Sequence, residues 1–258
     1  MSCTRVLIFA FGVHFMLACS PEPPQPTDML NGKSAGGPAE IFVASGAGYR
    51  KPIDEIKFLF EKKTAIAVNC IYGNMRQITT QAKTSGKVAV IIGDVKFLNK
   101  MDISFKKETA IGIGRLVIAA RKNLPLNGID DLTKSEFDRI IVPDSKKAIY
   151  GRAAFEAMTK RNIYKQIQPR LITVQTVPQV TSYLAGGTAQ AGFMNRADFL
   201  SLNPNKFKAI DIDRSLYESI IIEAALTEHA TDAAEQYMRF LQSDAAKGVF
   251  DRFGLGLE

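Results

Sequence analysis

The sequence predicts an α/β fold built on mostly parallel sheets, and two observations support this prediction. Short runs of β-branched and apolar residues alternate along the chain with segments whose apolar residues recur at helical spacing. The alternation extends through most of the 258 residues, which is enough chain for one large domain or for two lobes. Strands that alternate with helices favour parallel pairing, because a parallel connection needs a crossover that a helix supplies.

The predicted elements follow one another from residue 40 to the end of the chain. Strands are expected at 40–45, 67–72, 88–93, 110–120, 139–143, 170–174, 190–194, 208–212 and 219–225. Helices are expected at 52–63, 75–85, 95–101, 151–161, 178–185, 196–202 and 232–252, with Ser243 as a candidate break in the last helix. The strand at 110–120 is long, and Gly112 and Gly114 within it predict a bend. It is either shared by two sheets, forming a hinge, or a single twisted edge strand.

The N-terminal residues have the pattern of a secretory signal. Arg5 precedes a nearly continuous apolar run at 6–17, which is too short for a stable membrane span. The small or apolar residues directly before Cys19 resemble the bacterial lipoprotein signal. This resemblance implies that residues 1–18 are removed and that the Cys19 sulfur carries a diacylglyceryl group; the alternative is a plain secretory peptide. Residues 19–38, rich in proline and glycine, are expected to form a lipid-anchored flexible tether.

The charge and the cysteine content restrict the classes of function. The formal net charge is +7, and removal of the signal, whose one charge is Arg5, lowers it by one. Lysine pairs such as Lys62–Lys63 are scattered among acids, so we expect no nucleic-acid partner. Cys70 is the one cysteine after Cys19, and we expect it to be a buried apolar residue. The cysteines and His229 lack metal-ligand spacing, so no side chain is expected to bind a metal.

A glycine-rich turn, Val43–Tyr49, joins the first predicted strand to the helix at 52–63. A strand, a glycine-rich turn and a helix in this order direct free backbone N–H groups at one point. Ser45 adds a hydroxyl, and Gly46 and Gly48 let a ligand approach the main chain. The turn is therefore either an anion cradle or an ordinary βα turn that needs glycine for its geometry.

Several further stretches follow this turn in a characteristic order. They are Val43–Ser45, Ile71–Ile78, Val88–Asp94, Leu116–Ala119, Ala148–Ala154, Val177–Phe193 and Phe250–Leu255. Together they resemble the molybdate-binding (oxyanion-binding) proteins of ABC transporters, a class of periplasmic solute-binding proteins. The resemblance implies a two-lobed periplasmic-binding-protein fold of type II, in which each lobe is a mixed, mostly parallel sheet flanked by helices. It places lobe 1 at 40–118 plus 215–258 and lobe 2 at 119–214, joined by two crossover strands.

The resemblance also implies a set of ligand-binding residues on turns that face the cleft. They are Ser45, Gly46, Tyr72, Gly73, Asn74, Lys147, Ala148, Val177 and Asn195. In the family, two serine hydroxyls, backbone amides and a tyrosine hydroxyl hold the oxyanion, without a cationic side chain. Ser45 matches the first serine. The turn Tyr72–Asn74 stands at the second serine, and Asn195 stands at the tyrosine. This exchange of hydroxyls for amides favours a ligand of mixed polarity, either an organic acid or a differently protonated oxyanion.

The implied function is that of a lipid-anchored solute-binding protein of an ABC importer, in a bacterial cell envelope and facing the periplasm or exterior. It would capture molybdate or tungstate as its transported ligand, with no cofactor. Its partners would be a permease and an ATPase, it would touch the membrane through its lipid only, and we expect a monomer. Alternatives are another anion or small organic acid on the same fold, or a sensor or assembly lipoprotein. We expect no enzyme, because Asp94 and Asp198, the acids nearest the inferred cleft, lack the partners of a catalytic set.

Overall fold

The computed structural model describes residues 39–257 of the chain. The predicted signal at 1–18, the tether at 19–38 and the lipidation position Cys19 lie outside the described residues. Within residues 39–257, ten strands and nine α-helices form two sheets with helices packed on them. No helix in this range is long and apolar enough to cross a membrane.

The bounds of the elements agree with most of the predicted ones to within two residues. The strands are β1 (Glu40–Gly46), β2 (Ala67–Gly73), β3 (Val88–Asp94), β4 (Phe105–Gly114), β5 (Leu116–Arg121), β6 (Ile140–Pro143), β7 (Leu171–Val174), β8 (Ala191–Asn195), β9 (Phe207–Asp211) and β10 (Ile220–Thr227). The helices are α1 (Arg50–Thr64), α2 (Met75–Ser85), α3 (Val95–Leu98), α4 (Ile149–Lys160), α5 (Tyr164–Ile167), α6 (Val177–Ala185), α7 (Arg196–Phe199), α8 (Asp232–Leu241) and α9 (Asp244–Arg252).

The first sheet has the strand order β2-β1-β3-β10-β4. β1 pairs in parallel with β2 and β3, whereas β10 is antiparallel to β3 and β4. Gly46 at the end of β1 pairs with Gly73 at the end of β2. The turns that follow these two strands therefore lie side by side at one edge of the sheet.

The second sheet repeats this pattern with the strand order β7-β6-β8-β5-β9. β6 is parallel to β7 and β8, and β5 is antiparallel to β8 and β9. Each sheet is thus mixed, with one reversed strand in the fourth position. We call the first sheet with its helices the first lobe, and the second sheet with its helices the second lobe.

The long apolar run predicted as one strand is two strands in different sheets. β4 ends at Gly114 in the first sheet, and β5 begins at Leu116 in the second. A Cβ atom at Gly114 would lie 2.5 Å from the Tyr150 hydroxyl and 2.6 Å from Ile220 Cγ2, so glycine is required by close packing here. The chain returns to the first sheet between β9 and β10. The lobe bounds at 118 and 214 stay predictions.

Local packing explains where other elements differ from the predicted ones. The helices predicted at 95–101 and 196–202 are each a single α-helical turn. The residues that follow each turn make hydrogen bonds between residues three apart, as in a 3₁₀-helix; one example is Met101 N to Leu98 O at 2.9 Å. The break at Ser243 is confirmed, since its hydroxyl caps α9 by accepting from Ala246 N at 3.4 Å. Cys70 is half-buried rather than buried, because β2 is an edge strand.

Candidate functional site

A cavity lies at the contact between the two lobes, at the carboxyl ends of the parallel strands. Its wall is made by Gly46, Ala47, Gly48, Tyr49, Gly73, Asn74, Met75, Ala148, Ile149, Tyr150, Thr176 and Val177. The first seven belong to the first lobe and the other five to the second. The cavity has a volume of about 20 Å³, which favours a compact ligand over an extended solute. Within the described chain, no charged side chain lines this cavity.

The first lobe contributes two strand-to-helix turns to the cavity. β1 ends at Gly46, and a 3₁₀ turn at Ala47–Tyr49 leads into α1. β2 ends at Gly73, and Asn74 caps α2 through a reciprocal pair of bonds. Asn74 Oδ1 accepts from Gln77 N at 2.9 Å, and Gln77 Oε1 accepts from Asn74 N at 2.9 Å. This capping box holds the second turn in place while small residues keep both turns open to a ligand.

The second lobe contributes the N-terminal ends of α4 and α6. Ala148 precedes α4, and Thr176 precedes α6, so both helices begin at the cavity wall. The first N–H groups of a helix have no partner inside the helix and carry a partial positive charge. Pro178 at the second position of α6 removes one such donor. With the two turns of the first lobe, four helix starts converge on the cavity and create a positive potential that suits an anion.

Two buried tyrosines form the floor of this site. Tyr49 and Tyr150 are 1% and 2% exposed, and their rings meet edge to face with centroids 6.2 Å apart. Among the described residues, neither hydroxyl has a hydrogen-bond partner, although a buried polar group without one costs free energy. Burial raises the pKa of both phenols above the ordinary value, so both stay protonated at neutral pH. Each hydroxyl therefore keeps its proton, and the two phenols lie close enough to affect each other's pKa.

Hydrogen bonds join the lobes around the cavity. Met75 N, in the first turn of α2, donates to Lys147 O at 2.9 Å. Asn195 Nδ2, at the end of β8, donates to Gly48 O at 2.7 Å. Because these bonds link the two lobes across the cavity, the structure represents a closed arrangement.

An ion pair also crosses between the lobes. Arg152 in α4 places Nη2 3.3 Å from Oδ2 of Asp94, which caps α3 and is 0% exposed. The same guanidinium contacts Glu156 at 2.8 Å and Glu218 at 3.5 Å. Burial raises the pKa of Asp94, and the Arg152 charge opposes this shift. The pair therefore fastens the second lobe to a carboxylate buried in the first.

A second carboxyl at the lobe contact has a different environment. Asp198 in α7 is 7% exposed, and its Oδ2 atom has no hydrogen-bond partner within residues 39–257. A Cβ atom at Gly48 would lie 3.4 Å from that oxygen, so the carboxyl faces the turn after β1. Burial raises the pKa of Asp198 to about 7, against the opposing charge of Lys51. Near neutral pH this group is thus divided between its charged and neutral forms.

The structure brings five of the nine predicted ligand residues together. Gly46, Gly73, Asn74, Ala148 and Val177 all line the cavity. They come from both lobes and from all four turns that surround it. Their binding of a ligand stays a prediction, and the structure supplies the geometry in which it would occur.

Ser45 and Tyr72 lie away from the cavity wall. β1 continues through Gly46, so Ser45 is still part of the sheet, and its buried hydroxyl makes one long bond of 3.4 Å to Gly46 O. The Tyr72 hydroxyl donates to Asp54, and its ring lies under the Arg50 guanidinium. Both side chains therefore have contacts within the first lobe.

Lys147 and Asn195 contribute to closing the lobes. The Lys147 carbonyl accepts the bond from Met75, and its ammonium pairs with Asp144 at 3.3 Å. Asn195 uses Oδ1 to cap α7 at 2.7 Å from Asp198 N, and Nδ2 to reach Gly48 O. The Lys147 carbonyl and the Asn195 side chain thus hold the two lobes together beside the cavity.

Sequence reasoning did not assign Ala47, Tyr150 and Thr176 to the binding site, and it gave Gly48 only as part of a candidate anion cradle. Ala47 and Gly48 were within the glycine-rich turn, two and three residues beyond Ser45, and only the end of β1 decides which of them face the cleft. Tyr150 lies in the first turn of α4, where an aromatic residue usually signals core packing. The partnerless hydroxyl that distinguishes it is visible only in the folded chain.

Metal-ligating side chains are not clustered in the part of the chain that the structure describes. No group of three or more histidine, cysteine, aspartate or glutamate residues there could hold a metal ion.

The fold and the cavity define a binding protein for a small solute, held between two lobes. Residues 41–256 match the model of a family described as "bacterial extracellular solute-binding protein". The chain is a member of that family. This confirms the predicted resemblance to the periplasmic solute-binding proteins and the predicted two-lobed fold.

Individual relatives are distant but match over most of their length. The molybdate-binding protein ModA of Rhodobacter capsulatus is 24% identical over 222 residues, covering 83% of this chain and 87% of the relative. The putative ABC transporter substrate-binding lipoprotein YvgL of Bacillus subtilis is 24% identical over 231 residues, covering 84% of this chain and 86% of the relative. The solved structure of the Azotobacter vinelandii periplasmic molybdate-binding protein has a TM-score of 0.77 at 22% identity, covering 84% of this chain and 99% of that one. At this identity, the structural likeness shows the fold.

Proposed function

We propose that this solute-binding protein captures a tetrahedral oxyanion, molybdate or tungstate, in the cavity between its lobes. The observation that carries the proposal is the convergence of four helix starts on one small space, which two buried tyrosines also line and no charged side chain among the described residues lines. A tetrahedral oxyanion has only acceptor atoms, and this wall supplies donors. The names of the relatives that bind molybdate support the same ligand.

The proposal extends to transport across a bacterial envelope. The chain would be lipid-anchored through Cys19, as the name of the Bacillus subtilis relative suggests, and would face the periplasm or exterior. It would deliver its ligand as a monomer to a permease powered by an ATPase. Molybdate or tungstate would be cargo rather than a cofactor, and no reaction would be catalysed.

A small organic acid is a second candidate ligand. Met75, Ile149 and Val177 place apolar groups in the cavity wall beside the backbone donors. A carboxylate with a short hydrocarbon could contact both kinds of surface, whereas a bare oxyanion would leave the apolar part of the wall unused.

Thermal unfolding of the mature chain with molybdate, tungstate, sulfate, phosphate and acetate tests the proposal. A ligand at about 100 times its dissociation constant stabilises the folded state by about 2.7 kcal/mol and raises the melting temperature by several degrees. We expect this shift with molybdate and tungstate. A shift with acetate alone would favour the organic acid, and a panel without any shift would contradict both candidates.

The variant Tyr150→Phe tests the role of the buried hydroxyl. Loss of one hydrogen bond to the anion should weaken binding by about tenfold in titration calorimetry. The ligand-free protein should keep or gain stability, because the variant removes a buried hydroxyl without a partner. Tyr183→Phe, at a residue that is 40% exposed, is the matched control and should leave the affinity unchanged. Equal affinity in Tyr150→Phe and the original chain would exclude the hydroxyl from the site.

A further inference from the structure

A basic groove lies beside the cavity, at the rim of the contact between the lobes. Five cationic side chains line it, with the Phe97 ring as an apolar wall and a volume of about 490 Å³. The cations are Arg76, Lys96, Lys100, Lys146 and Arg152. No carboxylate of the described residues lines the groove. A neighbouring hollow, which Arg76 also lines, shares Asn74 with the cavity, so the groove and the anion cavity lie close together without being one space.

The positive charge of the groove is only partly neutralised. Lys96 forms an ion pair with Glu218, and Arg152 forms ion pairs with Asp94, Glu156 and Glu218. Arg76, Lys100 and Lys146 have no carboxylate partner within the described part of the chain, and all three are exposed. A surface concavity with unpaired charges of one sign concentrates counter-ions of the opposite sign.

One donor in the groove is already positioned. Contacts with Asp94, Glu156 and Glu218 fix the guanidinium of Arg152, which is 13% exposed. Its Nε atom is buried and has no hydrogen-bond partner among residues 39–257. Arg152 therefore forms a fixed part of the groove wall whose charge is balanced by these carboxylates, and the exposed cations Arg76, Lys100 and Lys146 are the ones available to an anion.

The groove is built by both lobes. Arg76 follows the start of α2, and Lys96 and Lys100 lie on or after α3, all in the first lobe. Lys146 and Arg152 belong to the second lobe. Closure of the lobes brings these like charges together, and an anion between them would offset their repulsion.

We infer that this groove is a second anion site, separate from the cavity, for a small organic anion that carries two or more negative charges. The volume lies within the range of small-molecule sites, which is about 300–1,000 Å³. The hydroxyl of Ser145 adds a neutral donor, and Phe97 adds an apolar surface for a carbon skeleton. Because both lobes supply the cations, the anion binds the closed form and stabilises it.

Citrate is the probe for this site, measured by titration calorimetry in the absence of any oxyanion. We expect saturable binding of one citrate per chain at low ionic strength, weakening as salt screens the cations. The double variant Lys100→Gln/Lys146→Gln should bind citrate about tenfold or more weakly. Both lysines are exposed, and the melting temperature of the variant should equal that of the original chain.

Two controls separate the groove from net charge and from the cavity. Lys62→Gln/Lys165→Gln removes the same charge at exposed positions in α1 and α5 and should keep citrate binding. Tyr150→Phe alters the cavity and should also keep it. The inference is overturned if citrate affinity falls equally in the two double lysine variants, or if it falls in Tyr150→Phe. It is also overturned if the original chain shows no saturable citrate binding. An acidic peptide that binds while citrate does not would assign the groove to a protein partner and overturn it too. If molybdate does not bind while citrate still does, the proposed function is contradicted and the inference about the groove stands.

Discussion

The two lobes share one strand order but contribute to the cavity in different ways. In each lobe the first, second and third parallel strands run into a helix, so that β1, β2 and β3 correspond to β6, β7 and β8. The first lobe lines the cavity with small residues and backbone, as at Gly46, Gly48 and Gly73. The second lobe sends side chains across the contact, as Asn195 does to Gly48 O and Arg152 does to Asp94.

The two lobes also carry comparable polar residues at the ends of their third parallel strands. Asp94 in the first lobe and Asn195 in the second both cap the next helix. Asp94 pairs with a side chain from the opposite lobe, whereas Asn195 extends its own side chain across the contact. These two side-chain contacts end on first-lobe acceptors, while the backbone bond from Met75 N to Lys147 O runs the other way. The predictions below alter the two first-lobe acceptors and the buried carboxyl of Asp198.

The largest expected effect is that of Arg152→Ala on stability. The substitution leaves the Asp94 carboxylate buried without its cation, which should lower the free energy of unfolding by about 3–5 kcal/mol. Urea unfolding followed by circular dichroism measures the change. Asp94→Asn in the same chain removes the buried charge and should restore part of the loss. An unaltered midpoint in Arg152→Ala would show that the pair does not stabilise the lobe contact.

Asp198→Asn should raise stability in a pH-dependent way. The pKa of Asp198 is raised to about 7 in the folded chain, so between about pH 4 and pH 7 the folded state binds a proton that the unfolded state has lost. The stability contribution of this group therefore falls as pH rises through that window and is constant above it. The amide in Asp198→Asn does not titrate, so the variant does not lose this stability. The difference in free energy of unfolding between the variant and the original chain should grow by about 1.4 kcal/mol per pH unit, to an upper limit of about 4 kcal/mol.

Denaturant unfolding at pH 5 and pH 8 tests this expectation. Asp138→Asn, at an exposed carboxyl, is the matched control for the change of an aspartate to its amide. An advantage of Asp198→Asn that is the same at both pH values would mean that the carboxyl is charged throughout the range.

A smaller effect is expected from Gly48→Ala. The new Cβ atom would lie 2.7 Å from Asn195 Nδ2, so the amide that donates to Gly48 O has to move. Crowding of this kind costs about 1–3 kcal/mol. Gly128→Ala is the control, since a Cβ atom there meets no heavy atom within 4 Å in the described chain. Melting temperatures that fall equally in the two variants would show that the glycine at 48 is not required for close approach.

The sequence predicted elements where one periodicity dominates. The buried face of α1 carries Ile53, Ile56 and Phe60, which is the helical spacing that the sequence shows. β3 is an apolar run from Val88 to Ile92, and the whole strand, including its last residue Asp94, is buried. The strand–turn–helix order therefore followed from local patterns, whereas the position of the two turns of the first lobe at one edge of the sheet came from the structure.

The site was less predictable, because its details depend on contacts between residues far apart in the chain. Ser45 was expected at the ligand, but successive strand residues point to opposite faces, so one additional residue in β1 changes which side chain reaches the cleft. The pairing of Tyr49 with Tyr150 joins residues on different lobes. No local pattern distinguishes these tyrosines from core residues, since their partnerless hydroxyls result from the packing of one lobe against the other.

The position of β10 determines the order in which the two sheets can be completed. The second sheet uses one continuous segment, Leu116 to Asp211, whereas the first has β10 between β3 and β4. A chain that is synthesised from its N-terminus holds every strand of the second sheet before it has made Ile220. The lobe that starts first is therefore finished last, and until β10 arrives, the facing edges of β3 and β4 are unpaired strands open to association with other chains.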